Sequence, residues 1–115
     1  MSGTLDDLYK ESIRAYGVEA QLMKAAEECG ELASAINKWA ALVHYRDHLM
    51  TLNGEVEQWL NEAIDFAWRK IPGEVVDVKL MVGQMEYMIG DHDYAPILLA
   101  KIMRAWKRVQ ESNLK

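Results

Sequence analysis

The chain has 115 residues, half of them apolar and about a quarter charged, with only two prolines. This length predicts one compact domain, and no run approaches the roughly 20 uncharged residues that a membrane span needs. The acidic first residues are unlike a secretory signal or a transit peptide. A single cysteine, Cys29, permits neither an intrachain disulfide nor a cysteine-based zinc site. We therefore expect a cytoplasmic protein without a membrane partner.

The formal charge of −5 is unevenly distributed along the chain. Residues 1–90 carry 15 acidic and 8 basic side chains, a balance of −7, whereas residues 91–115 carry 5 basic and 3 acidic ones, a balance of +2. An acidic protein is poorly suited to a nucleic acid polymer, which rewards positive patches. An acidic body with a basic tail suits a small anionic ligand that arrives with divalent cations.

Helical residues dominate, and no window alternates as a half-buried strand would. Thr4 and Asp7 form an N-cap pair for a first helix, Leu52 to Gly54 form a turn, and Pro72 suits the first turn of a later helix. Asp93 is a candidate cap for the last helix. The predicted helices cover about 4–16, 18 to beyond 39, 55–69, 72–89 and 93–110. The sequence therefore predicts an all-α bundle of four to five helices.

The second predicted helix carries an acidic face. At about 100° per residue, Glu27, Glu31, Lys24 and Lys38 share one side, and Glu28 lies at the edge of the apolar stripe. Acidic side chains three or four residues apart repel each other. A bound divalent cation would compensate for this repulsion, although such a face is also typical of an ordinary solvated helix surface.

The helix predicted over 72–89 offers a second pair of carboxylates. Glu74 and Asp77 lie one turn apart, and Asp77 stands between Val76 and Val78 at the head of a methionine stripe. A lone carboxylate in apolar surroundings is costly unless it is neutralised, paired or bound to a metal. Two helices that each present carboxylates could build an all-oxygen site, which Mg²⁺ and Mn²⁺ prefer.

Taken together, these segments resemble a known signature. The motif EExxE occurs at 27–31, the motif ExxD at 74–77, and a basic segment at 101–108. This combination resembles the all-α nucleotide pyrophosphohydrolases of the MazG-like type. The resemblance implies a helical bundle completed by homodimer or homotetramer formation. It also implies hydrolysis of a nucleoside triphosphate, NTP or dNTP, to the monophosphate and pyrophosphate, with Mg²⁺ that Mn²⁺ can replace.

The resemblance also implies roles for individual residues. The implied metal ligands are Glu28, Glu31, Glu74 and Asp77. Glu27 would bind a further metal or would orient or deprotonate the attacking water, so that Glu27 and Glu28 form the catalytic pair. The candidate phosphate-binding cations are Lys24, Lys38, Lys101 and Arg104, for each of which a solvated surface position is the alternative. Trp39, next to Lys38, is a candidate base contact or else a packing residue.

One departure from the MazG-like pattern concerns spacing. The interval between Glu31 and Glu74 is 42 residues, longer than the compact pattern usually has. It contains the extra helix predicted over 55–69, which we expect to line the nucleotide pocket or to extend a subunit contact. The alternative class of function is a non-catalytic helical assembly or regulatory module whose acidic face is only surface.

Overall fold

The computed structural model describes residues 3–90 and 93–114, so Lys115 of the basic tail lies outside the described residues. Its described part consists of four helices and contains no strand, which confirms the all-α prediction. The helices are α1 (Leu5–Tyr16), α2 (Val18–Asn53), α3 (Gln58–Ile89) and α4 (Ala95–Asn113).

Local signals set the bounds of α1 as predicted. The Thr4 hydroxyl accepts a hydrogen bond from the Asp7 amide, and the Asp7 carboxylate accepts one from the Thr4 amide, which completes a capping box. Gly17 follows with a φ of 87°, a conformation that other residues adopt only with strain. The chain therefore changes direction between α1 and α2.

Helices α2 and α3 form one long hairpin. Residues 54–57 connect them, and Gly54 at φ 70° ends α2 in the left-handed conformation, in agreement with the predicted turn. With 36 residues, α2 is about 54 Å long. The packing of helix against helix in the described residues is mainly that of α2 on α3. This hairpin is the framework on which the site is built.

The predicted break between helices at Pro72 is wrong, because α3 runs without interruption from Gln58 to Ile89. A proline inside a helix removes one hydrogen bond and costs about 3 kcal/mol. Helix α3 packs mainly on α2, and it contains buried residues both before Pro72 (Leu60 and Ile64) and after it (Gln84). Tertiary packing along α2 therefore outweighs the local signal, and the described chain has four helices, the lower of the two predicted numbers.

The first helix lies across one end of the hairpin. Tyr9 is buried and its ring lies 6.3 Å from that of Tyr87. A β-carbon at Gly83 would overlap the Tyr9 ring, so glycine is required there for α1 to approach α3 this closely. Leu60 is the one described large side chain that is completely buried.

The last helix stands apart from the other three. The N-cap of α4 is Tyr94 and not the predicted Asp93, although the Asp93 carboxylate accepts a hydrogen bond from the Ala95 amide at 3.1 Å. The helix continues to Asn113, three residues beyond the predicted end. Within the described part of the chain it packs against none of the helices α1, α2 and α3, and none of its residues is buried. The radius of gyration of 19.8 Å consequently exceeds the roughly 13 Å expected for a compact chain of this length.

Among the described helices, none combines the length and the apolar character needed to cross a bilayer.

Candidate functional site

Three glutamates meet between the two long helices. Glu28 and Glu31 lie one turn apart on α2, and Glu74 faces them from α3. Each offers a carboxylate oxygen, and these three oxygens lie within 4.8 Å of one another. Carboxylates this close disfavour one another's charged form unless a cation or a proton intervenes. We call these three residues the acidic cluster.

The burial of the acidic cluster distinguishes it from a solvated acidic surface. Glu28 is only 8% exposed, and its Oε1 lies 3.0 Å from the Lys24 Nζ. The other oxygen of Glu28 and the Oε2 of half-buried Glu74 are shielded from solvent and have no hydrogen-bond partner among the described residues. Burying such groups without a partner costs about 1–3 kcal/mol each, and more when they are charged. The chemistry of this donor set fits a bound hard cation.

The electrostatic effects agree with a negative field at this point. The charge of Glu28 raises the pKa of Glu31 above its usual value, with smaller contributions from burial and from Glu74. The hydrogen bond to Glu28 raises the pKa of Lys24, and the negative charge of Glu27 adds to the effect. Both shifts show that the cluster favours positive charge, whether from a proton, an ammonium group or a metal.

An open cavity of about 680 Å³ extends from the cluster along the hairpin. We call it the larger groove. Glu31 and Glu74 lie at one end of it, and its walls include Lys38 of α2 and Phe66 and Lys70 of α3. The Lys70 ammonium lies 4.5 Å from the centre of the Phe66 ring. The groove thus combines two cations and an aromatic face next to carboxylates.

A second cavity of about 530 Å³ lies where α1 crosses the hairpin. We call it the junction cavity. Lys24 lines it, as do the buried side chains of Tyr9, Gln21 and Gln84. Because the ammonium of Lys24 contacts Glu28, this cavity adjoins the acidic cluster on the side of α1.

Most of the predicted site residues on α2 and α3 lie in or near the acidic cluster. Glu28, Glu31 and Glu74 converge as described, and Lys38 lines the larger groove. The exposed Glu27 carboxylate lies 3.6 Å from the Lys24 Nζ. Lys24 is therefore engaged with two carboxylates, whereas no ion pair of Lys38 is found among the described residues.

Other predicted residues lie elsewhere. Asp77 is exposed, one turn beyond Glu74, and does not belong to the acidic cluster. The apolar surroundings that its neighbours suggested are only partly present, because Val76 is 55% exposed whereas Val78 is half-buried. Half-buried Trp39 lies with its ring 5.1 Å from that of Trp68 and lines neither cavity. Its role as a base contact stays a prediction.

The basic residues of α4 do not reach the cluster within one chain. Lys101 and Arg104 lie on a helix that, in the described part of the molecule, does not pack against α2 or α3. As phosphate-binding residues they would have to act on another copy of the chain.

Sequence reasoning missed Phe66, Lys70 and Gln84, which line these cavities. Phe66, Lys70 and Glu74 follow one another at four-residue intervals, so a helix that continues through Pro72 puts all three on one side. The wrong break at Pro72 concealed the relation of Phe66 and Lys70 to Glu74. No pattern in the sequence singles out Gln84, whose burial depends on how α1 crosses α3.

No protein-family model, curated protein or solved structure matches this chain.

Proposed function

We propose that this chain is a Mg²⁺-dependent nucleoside triphosphate pyrophosphohydrolase of the MazG-like type, which forms a nucleoside monophosphate and pyrophosphate. The observation that carries the proposal is the acidic cluster, in which two solvent-shielded oxygens of Glu28 and Glu74 have no hydrogen-bond partner in the described part of the chain. The EExxE and ExxD motifs supply its three carboxylates from two helices. An incidental acidic surface would leave these oxygens in water.

The donor set favours Mg²⁺, with Mn²⁺ as a substitute, because all three side chains offer oxygen and none offers nitrogen or sulfur. Glu28, Glu31 and Glu74 would hold the ion. Asp77, exposed and one turn along α3, is a proposed additional ligand. A bound divalent ion lowers the pKa of its water and neutralises charge that develops on phosphoryl oxygens.

The other side chains orient these groups and the substrate. Lys24 fixes one oxygen of Glu28, which leaves the other free for the ion. The exposed carboxylate of Glu27, held near Lys24, is the proposed residue that orients or deprotonates the attacking water. Lys38 and Lys70 in the larger groove are placed to hold phosphate oxygens through charge-assisted hydrogen bonds.

We also propose that the protein acts as a homodimer or homotetramer. The chain exposes 9314 Å², whereas a compact protein of its mass exposes about 6,400 Å². The excess of about 2,900 Å² per chain, or about 5,800 Å² for a pair of chains, is enough to supply the roughly 2,000–5,000 Å² in total that obligate subunit interfaces bury. The basic α4 of one copy complements the acidic hairpin of another, which would bring Lys101 and Arg104 toward its larger groove. The exposed apolar surface also favours the alternative, a non-catalytic assembly module.

Two measurements test the enzymatic proposal on the full-length protein. Calorimetry should detect Mg²⁺ or Mn²⁺ binding, and pyrophosphate should be released from at least one nucleotide of a panel of NTPs and dNTPs. Glu28→Gln should abolish cation binding and reduce turnover by about 10³-fold, because a metal ligand contributes several kcal/mol of transition-state stabilisation.

Glu62→Gln is the matched control, because Glu62 is an exposed glutamate of the same hairpin outside the cluster. It should leave both cation binding and turnover unchanged. Absence of cation binding in the wild-type protein, together with intact self-association, would reject the enzyme and favour the assembly module.

A further inference from the structure

We propose that the junction cavity is the nucleobase subsite of this enzyme and that the Gln84 amide reads the hydrogen-bonding edge of the base. This inference rests on the proposed function and specifies which of the two cavities beside the acidic cluster accepts the nucleoside. The volume of about 530 Å³ falls within the roughly 300–1,000 Å³ of small-molecule sites.

Gln84 is the first reason to expect a ligand here. Gln84 is 4% exposed and lines the cavity, yet within residues 3–90 and 93–114 its Nε2 has no hydrogen-bond partner. A buried amide donor without a partner costs about 1–3 kcal/mol, and an apolar side chain of the same size would avoid that cost. Rotation of the terminal amide toward the cavity would give the donor a ligand acceptor. The burial of a glutamine at this position is thus better explained by binding of a ligand than by packing of the core.

The remaining walls of the junction cavity suit a planar heterocycle. Gln21, also buried, offers a second amide, and Leu80 and Met81 provide an apolar surface. The exposed ring of Tyr16 stands at the rim, where it can stack on a base. An amide presents a donor and an acceptor side by side, which is the pattern that pairs with the edge of a nucleobase.

The larger groove has a different chemical character. It contains the ammonium groups of Lys38 and Lys70, and its only neutral polar side chain is that of Ser34. Such a lining can neutralise phosphates but offers no amide that distinguishes one base from another. The two cavities would therefore bind different parts of the substrate, the larger groove its terminal phosphates and the junction cavity its base.

The acidic cluster lies between the two cavities, as this arrangement requires. Glu31 and Glu74 line the larger groove, and Lys24 lines the junction cavity while its ammonium contacts Glu28. A nucleotide that lies across the cluster would place its α-phosphate next to the carboxylates. Lys24 then stands between the base and the phosphates, within reach of the sugar-phosphate link.

Calorimetry with Mg²⁺ and non-hydrolysable probes tests this assignment. The probes are inorganic tripolyphosphate and the α,β-imido analogues of dUTP, dCTP, dTTP, dATP and dGTP. We expect at least one analogue to bind tenfold or more tightly than tripolyphosphate. Gln84→Met should remove that gain and should change tripolyphosphate affinity less than twofold. Gln58→Met, the same substitution at an exposed position of α3, should change neither.

Several outcomes would overturn the proposal. One is that the higher affinity of the analogue over tripolyphosphate persists in Gln84→Met, and another is that no analogue binds more tightly than tripolyphosphate. A third is that Phe66→Ala removes the higher affinity instead, which would place the base in the larger groove. If Gln84→Met does not fold, Gln84→Asn withdraws the amide by one methylene and should give the same loss. Wild-type protein that fails to bind tripolyphosphate with Mg²⁺ would reject the proposed function itself, before any variant is compared.

Discussion

The α2–α3 hairpin and helix α4 both carry apolar residues, but the hairpin buries some of them whereas α4 leaves its own exposed. The hairpin buries Leu60 and Ile64 and brings the acidic cluster together from two helices. Helix α4 exposes its apolar face, including Leu99 and Trp106, over its whole length. Amphipathic periodicity therefore predicts that a helix forms, whereas it does not predict which surface covers it.

The two regions also differ in charge. Carboxylates outnumber cations in the hairpin, and three of them, Glu28, Glu31 and Glu74, lie close together. The charged residues of α4 before its last turn are basic and exposed. The comparison predicts that substitutions in the hairpin alter the site and the folded monomer, and that substitutions in α4 alter association.

The largest effect should come from Glu74→Gln. Glu74 belongs to the acidic cluster, so its loss should reduce pyrophosphate release by about 10³-fold. Asp77→Asn, one turn away on the same helix, removes an exposed carboxylate outside the cluster and should have an effect at least tenfold smaller. The comparison uses turnover at saturating Mg²⁺ and nucleotide. Equal losses would mean that Asp77 contributes to the ion as strongly as Glu74.

The next effect concerns the core of the hairpin. Leu60→Ala removes the completely buried leucine and should reduce the free energy of unfolding by about 2–5 kcal/mol. Leu98→Ala, the same change on exposed α4, should leave the unfolding of the dissociated monomer unchanged within about 0.5 kcal/mol. Urea denaturation at low protein concentration measures both. Equal destabilisation would show that α4 packs within its own chain.

Part of this organisation could be predicted from the sequence. The capping box of Thr4 and Asp7 and the turn at Gly54 depend on neighbouring residues, and both were predicted correctly. The continuation of α3 through Pro72 depends on its packing against α2, about which local propensity contains no information. A local signal is therefore reliable only where no long-range contact opposes it.

The candidate site shows the same limit. Spacing placed Glu28 and Glu31 one turn apart, and the motif pairing suggested Glu74 as their neighbour on another helix. The flanking valines suggested that Asp77 is buried as well, but the burial of a helical residue depends on the neighbouring helices, and Asp77 is exposed. For the same reason no local pattern pointed to Gln84.

Association should be more sensitive to α4 than to an exposed apolar residue at the end of α2. Trp106 is 63% exposed, and burying such a side chain between copies contributes about 1.5–3 kcal/mol. Trp106→Ala should therefore weaken self-association about 10- to 100-fold in analytical ultracentrifugation. Leu52→Ala, at the end of α2, is the control that should not change it. A wild-type protein that stays monomeric at millimolar concentration would contradict the proposed assembly.

The smallest effect is a pH dependence that originates in Glu31. The charge of Glu28 raises the pKa of Glu31 in the folded protein above its ordinary value of 4.5, so between these two values the folded chain binds more protons than the unfolded chain. The metal-free protein should therefore lose stability as pH rises through this window and reach a plateau above it. Glu31→Gln lacks the titrating group, so its melting temperature should exceed that of the wild type only as pH rises from about 4.5 toward neutrality. Lys24 remains charged throughout, because its own pKa is raised from 10.5. Because Glu31 is exposed, the difference should be small and should shrink with added salt.

Saturating Mg²⁺ should abolish or reverse this difference in melting temperature, because a bound cation removes the repulsion that Glu28 exerts on Glu31. A difference that is the same at every pH would show that the charge of Glu28 is not its cause.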